Sequence, residues 1–163
     1  MEIRFAEIED TPGIIALLRQ VGGVHHQGRP DIFRNHAQKY GPSQVIAMLD
    51  SFKTPIFVAV EDKKVLGYCF CIVKEHKEDP VIRDHTELYI DDLCVDEACR
   101  GQNIGTALYE NAVRYAKMRG CYNVTLNVWN FDGSAQKFYE KLGLKVQKIG
   151  MEMMLEETDA GKK

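Results

Sequence analysis

The sequence predicts a single α/β (α+β) domain, a mixed sheet with helices on both faces. Three observations carry this. Apolar runs of strand length alternate with stretches whose apolar residues recur at helical spacing. Two of those runs follow each other across a short charged turn, as in a hairpin. The turn Cys99-Arg100-Gly101-Gln102-Asn103-Ile104-Gly105-Thr106-Ala107 then joins an apolar run to a periodic one, so a strand feeds a helix there.

The elements follow in order. Residues 2–8 form a first strand. Asp10-Thr11-Pro12 starts a helix, with a capping side chain and a proline near the first helical position. Ile14, Ile15, Leu17, Leu18 and Val21 form its apolar stripe, and Gly22-Gly23 stops it. Residues 24–42 mix three histidines, two aromatics and polar groups without clear period, with a short helix at 31–37. Val45, Ile46, Leu49 and Phe52 place a further helix over 43–52. Strands at 56–60 and 65–73 make the hairpin, and 74–84 is a charged loop containing Pro80. A strand at 87–95 leads into the turn. On the helix that follows, Ile104, Ala107, Leu108, Ala112, Tyr115 and Ala116 share one face, and Gly120 closes it. Residues 122–128 alternate as a half-buried strand. Asp132 caps the next helix, where Ala135, Phe138, Tyr139 and Leu142 lie at i, i+3, i+4 and i+7. One or two strands at 144–155 complete the domain, which spans 1–155, and 156–163 is a polar C-terminal tail.

Composition narrows the function. A net charge of −3 over 163 residues argues against nucleic-acid binding, which needs a basic face. No apolar run has the length of a membrane span, and the start Met-Glu-Ile-Arg-Phe is unlike a signal peptide. The five cysteines are odd in number and lie mostly in apolar runs, as in a reduced cytoplasmic protein. Cys69 and Cys71 share one strand face without metal-site spacing, so no metal is expected.

The central turn is an anion cradle. The free N–H groups of a first helical turn and the helix dipole point into it, and Arg100 adds a positive charge. It is neither a Walker loop nor a dinucleotide fingerprint: Gly101 and Gly105 are too close, and no Lys-Ser or Lys-Thr follows. The wider pattern decides more. Leu93-Cys94-Val95, four residues, then Arg100-Gly101-Gln102-x-Ile104-Gly105-x-Ala107-Leu108 resembles the signature of the GNAT superfamily of acyl-CoA-dependent N-acyltransferases. So does the later block Ala135-Gln136-Lys137-Phe138-Tyr139-Glu140-Lys141-Leu142-Gly143-Leu144, in the family's order and at its usual separation.

The resemblance implies a mixed, mostly antiparallel sheet of six to seven strands. It implies acetyl-CoA as co-substrate, with its pyrophosphate on Arg100, Gly101, Gln102, Asn103, Ile104, Gly105 and Thr106. Its pantetheine arm would pair with the backbone of Leu93, Cys94 and Val95, where the strands at 87–95 and 122–128 splay apart. Asn103 stands where the family prefers glycine, and Asp132 stands where many members carry a cofactor-contacting asparagine. The reaction would be attack of an amine on a thioester. Presenting an amine of pKa ~10.4 in neutral form at pH 7 costs about 4.6 kcal/mol, so a base or desolvation must offset it. Asp92 and Glu87 are the candidate bases, and Asp91, next to Asp92, should face the other way unless a bulge intervenes. Tyr139 would assist the departing CoA thiolate by hydrogen bonding, and would also touch the cofactor. The irregular segment, where the family forms its acceptor pocket, offers His25, His26, Arg29 and Phe33, with Trp129 and Asp91 as further lining.

The sequence therefore reads as a cytoplasmic N-acetyltransferase acting on a small-molecule or peptide amine in a ternary complex. No nucleic-acid or membrane partner is expected, and a homodimer is a family expectation. A non-catalytic acyl-CoA-binding regulatory module is the alternative, and a nucleotide-binding protein is a third.

Overall fold

Five strands form one sheet in the order β1-β2-β3-β4-β5. They are β1 (Glu2–Phe5), β2 (Ile56–Glu61), β3 (Lys64–His76), β4 (His85–Val95) and β5 (Asn123–Leu126) in a computed structural model that describes residues 1–155. The expected polar tail at 156–163 lies outside the described residues. The described residues also form four helices: α1 (Thr11–Gly28), α2 (Pro42–Leu49), α3 (Ile104–Met118) and α4 (Ser134–Lys141). By internal contacts the chain divides into two units, Met1–Phe131 with the whole sheet and α1 to α3, and Asp132–Lys163 with α4. No helix among the described residues is long and apolar enough to cross a membrane.

Neighbouring strands from β1 to β4 run antiparallel, and β5 runs parallel to β4. Each sheet face carries its own core, as strand alternation requires. On one face α3 lays Ile104, Leu108, Ala112, Tyr115 and Ala116 over Phe57, Cys69, Cys71, Leu88 and Ile90. On the other, Ile14, Ile15, Leu17 and Leu18 of α1 and Val45 of α2 cover Ile56, Val58, Tyr68, Phe70 and Cys94. The apolar stripes legible on α1 and α3 are thus stripes that bury, whereas of the stripe expected over 43–52 Val45 is buried and Phe52 is 75% exposed beyond the end of α2. Cys69 and Cys71 are buried free thiols on the α3 face, their sulfurs 3.6 Å apart.

Four local expectations are corrected. Helix α1 runs through Gly22-Gly23 to Gly28, so His25 and His26 belong to its last turns. Gly22 serves close packing: a Cβ there would overlap the carbonyl oxygen of Ala37 in the loop that crosses the helix. The segment 31–37 is turns, with His36 in the left-handed region at φ 56°. The Asp10 carboxylate does not cap α1; it accepts from Arg4 at 2.7 Å and from the Glu7 N–H at 2.8 Å. Finally, residues 144–155 carry no strand, which leaves five strands among the described residues where six to seven were expected. Alternation marks what a strand would bury and does not supply a ladder partner; Val146, Ile149, Met151 and Met153 remain 59–93% exposed.

The two adjacent glycines of α1 separate packing from propensity. In an open helix interior, alanine is favoured over glycine by up to about 1 kcal/mol. Among the described residues, nothing lies within 4 Å of a Cβ at Gly23, so Gly23→Ala should raise the melting temperature. Gly22→Ala should lower it, by about 1–3 kcal/mol of stability, because backbone must give way. Thermal denaturation of the two variants checks the opposite signs.

Candidate active site

The register of β4 against β3 slips once. Phe70 pairs with Asp92, and Cys71 pairs with Ile90, so Asp91 is an extra residue with no partner. A bulge of this kind breaks the alternation of faces. Asp91 and Asp92 therefore point to the same side of the sheet, the side of α1 and α2. Their partners show it. The Tyr68 hydroxyl, from the α1-side core, donates to Asp92 at 2.9 Å. The Tyr40 hydroxyl donates to Asp91 at 2.6 Å, with its ring stacked on Phe70 at 5.3 Å between centroids. Lys39 forms an ion pair with Asp91 at 2.9 Å, and the Asp91 side chain is 9% exposed.

The two acids differ electrostatically. Asp91 has its charge offset by Lys39. Asp92 is hydrogen-bonded by the Tyr68 phenol, and burial pushes its carboxyl up to about 6; the Tyr68 hydrogen bond, Lys39 and a backbone hydrogen bond at Leu93 oppose this, and Asp91 adds to it. An acid poised there is a carboxylate at pH 7 with usable basicity. Burial beside Asp92 also pushes the Cys94 thiol up to about 12, so it is no thiolate nucleophile. Both tyrosines are held well above the ordinary phenol value, first by burial, and donate as neutral phenols.

Glu87 sits apart from this pair. It lies on the interior strand β4, 14% exposed; Thr125 Oγ1 donates to it at 3.1 Å, and His76 Nε2 lies 3.4 Å away.

Beyond the bulge, the other edge of β4 opens. Strand β5 pairs with Glu87, Leu88, Tyr89 and Ile90, so among the described residues Leu93, Cys94 and Val95 have no ladder partner on that side. The strand then runs through a short 3₁₀ turn into the predicted cradle. Gly101 has φ 79° and Asn103, the N-cap of α3, has φ 60°. Both are left-handed, a conformation asparagine tolerates with little strain, which explains how Asn103 replaces glycine. Arg100, Gly101, Gln102 and Asn103 are exposed, Gly105 and Thr106 are half-buried, and Ile104 anchors the turn in the core. Among the described residues, nothing lies within 4 Å of a Cβ placed on Gly101. An anion can reach the N–H groups of this turn.

The acceptor-side candidates converge in part. The His25 ring stacks on Phe33 at 4.9 Å, Phe33 meets Trp129 edge-on at 4.9 Å, and Phe131 completes the group. Burial, then the nearby charge of Lys39, pushes the His25 imidazole down, so it is neutral at pH 7. Lys39 thus pairs with Asp91, and its charge is felt by both Asp92 and His25. His26 Nδ1 lies 2.7 Å from the Phe33 carbonyl oxygen, and Arg29 is paired with Asp31 at 2.8 Å; both hold the loop. In the second unit, Tyr139 is half-buried on α4 against Phe138, and the Asp132 carboxylate accepts the Ser134 N–H at 2.8 Å. The N-cap of α4 is Gly133, and Asp132, one residue before it, accepts the first helical N–H instead of capping the helix itself. Lys39, Tyr40, Tyr68 and Phe131 were not singled out as site residues in the sequence. Tyr68 reads as one more apolar strand residue, and the others lie outside any period.

The sequence profile of the acetyltransferase (GNAT) family matches residues 26–144, most of the chain. The chain belongs to the GNAT family. A Xenopus laevis relative, a probable N-acetyltransferase named camello, is 34% identical over 95 residues, which cover 58% of this chain and 40% of camello. The GNAT chain thus matches less than half the length of that curated relative. A point mutant of the BH1408 protein of Bacillus halodurans shares 33% identity with a TM-score of 0.90, covering 95% of this chain and 99% of its own. An aminoglycoside N-acetyltransferase solved with CoA shares the fold at 13% identity and a TM-score of 0.71, covering 94% of this chain and 98% of its own.

The raised Asp92 value has a sign that can be measured. The folded chain holds this proton more tightly than the unfolded chain, so ionisation at Asp92 removes stability as pH rises from about 4 through about 6. Asp92→Asn escapes that cost. It should be more stable than the parent above pH 6, by at most about 3 kcal/mol, and equal to it below pH 4. Urea denaturation across this range gives the difference.

Proposed function

We propose that this GNAT protein transfers an acetyl group from acetyl-CoA to the primary amine of a small molecule or peptide, by direct attack in a ternary complex. The observation that carries the proposal is the bulge of β4. It turns Asp91 and Asp92 to one face, immediately beside the unpaired backbone edge and the anion-binding turn. The CoA complex of the structural relative supports the choice of donor.

Arg100 and the N–H groups around Gly101 and Asn103 would hold the pyrophosphate. The open edge of Leu93, Cys94 and Val95 would hydrogen-bond the pantetheine amides as an added strand would. Acetyl-CoA supplies an activated thioester. Asp91 and Asp92 favour a cationic acceptor, and the aromatic group of His25, Phe33 and Trp129 would shed water around it. Lys39 leaves Asp92 as the less neutralised carboxylate of the two. Moving a proton from a free ammonium at pKa ~10.4 to a carboxyl near 6 is uphill by about 6 kcal/mol. Asp92 therefore accepts the proton most easily as the C–N bond forms, when the nitrogen has become far more acidic. Desolvation of the acceptor against the aromatic wall lowers the same barrier. Tyr139 would donate a hydrogen bond to the departing sulfur. With a phenol near ~10 and a thiol near ~8.5, complete transfer is uphill by about 2 kcal/mol, so a hydrogen bond suffices.

Thiol release from acetyl-CoA with a panel of amines tests the reading. Turnover with at least one amine is expected. Tight acetyl-CoA binding with no release for any amine would instead favour the regulatory module. With the amine identified, kcat/KM should rise with pH through a limb near 6, and Asp92→Asn should lose that limb. Tyr139→Phe should lower kcat at least tenfold with CoA affinity nearly unchanged. An unaltered kcat removes Tyr139 from the reaction.

A further inference from the structure

The end of the β3–β4 hairpin gathers three residues that the acetyl-transfer chemistry leaves unused. His76 pairs with His85 across the ladder, and Glu87 follows His85 by two residues, so all three share one face. One ligand atom from each lies within 4.8 Å of the other two. The imidazole rings are nearly parallel, 4.5 Å apart with 17° between planes. His76 Nε2 stands 3.4 Å from Glu87 Oε1.

We propose that His76, His85 and Glu87 form a binding site for a divalent transition-metal cation, with zinc the metal that their donor set suits. Two imidazole nitrogens and one carboxylate oxygen, with water in a fourth position, make an open tetrahedral zinc site. Hard cations such as calcium and magnesium prefer a shell of oxygens, which this set lacks. The spacing fits. Ligands about 2.1 Å from a common ion stand roughly 3.4 Å apart, a separation His76 and Glu87 already have. The remaining gap closes by at most about 1.4 Å, within the reach of rings that are only half-buried.

Outer contacts carry the argument further, because each orients a donor. His85 Nδ1 lies 2.8 Å from the carbonyl oxygen of Arg83. A carbonyl accepts only, so Nδ1 carries the proton, and Nε2 of the neutral ring keeps its lone pair for a metal. Thr125 Oγ1 donates to Glu87 Oε2 at 3.1 Å, which fixes that oxygen and leaves Oε1 toward His76. A tautomer set by a backbone carbonyl and a carboxylate held by a hydroxyl are features that a plain histidine–carboxylate ion pair does not need. Nothing in the sequence spacing announces the site, since His76 and His85 are brought together only by hairpin register.

Calorimetric titration of the full chain with Zn2+, and cobalt absorption with Co2+ as a spectroscopic substitute, test this. One saturable equivalent with micromolar or tighter affinity is expected, with the visible bands of low-coordinate cobalt. His85→Ala and Glu87→Gln should each weaken Zn2+ binding at least tenfold. Thr125→Val, which removes no ligand, should weaken it by about tenfold. A Cys99→Ser, Cys121→Ser double variant should bind as the parent does. No saturable uptake overturns the proposal. So does uptake that survives His85→Ala and Glu87→Gln in variants whose circular dichroism matches the parent, or uptake that disappears with the cysteines.

Discussion

One extra residue in β4 reconciles demands that a regular strand could not meet. Leu88 and Ile90 pack beneath α3, and so does Leu93, yet 90 and 93 have opposite parity on an unbroken strand. Cys94 must reach the other core, under α1. The bulge at Asp91 changes parity once and satisfies both cores together. The two carboxylates fall on one face as a consequence of that packing. The acid pair is thus fixed by burial on both sides of the sheet. It is not a loop feature free to rearrange.

The same strand determines where backbone is left open. Its first half is flanked by β3 and β5, and its second half by β3 alone. Close approach of β3 is enforced at Gly67, where a Cβ would stand 2.9 Å from the carbonyl oxygen of Cys94 and 3.1 Å from Leu108 Cδ1. Past the strand, the chain turns through the exposed residues 100–103, two of them left-handed, and enters α3, whose first-turn N–H groups have no intrahelical partner. An open strand edge and an open helix N-terminus therefore adjoin without a break in the chain. In a protein of net charge −3, this turn with Arg100 is a local positive end.

Apolar periodicity made most of this legible. The stripes on α1 and α3, the buried run at 56–60 and the strand before the turn all bury as their spacing indicates. The strand–turn–helix pattern pointed to the turn at Arg100, and the GNAT resemblance offered Asp92 as a candidate base. What escaped was whatever depends on distant sequence. Tyr40 meets Asp91 from 51 residues away, Lys39 from 52, and Tyr68 meets Asp92 from 24. Gly22 reads as a helix stop because glycine is a poor helix former; its lack of a side chain answers a contact with Ala37 that no local pattern encodes. The apolar alternation after Gly143 misleads for the opposite reason, since it records a capacity to pair without a partner.

The loop between α1 and α2 has a property that its irregular sequence conceals. Ala37 is seated on Gly22, Gln38 accepts from Arg19 at 2.8 Å, and Lys39 and Tyr40 are both fastened to Asp91. Two of these ties lie on α1 and two on β4, so the segment is held along consecutive residues. A ligand docking there meets a wall already in place, and little of its binding energy goes to ordering chain. Discrimination among ligands then rests on how well each fits a preformed surface and how slowly it leaves, more than on any closing motion.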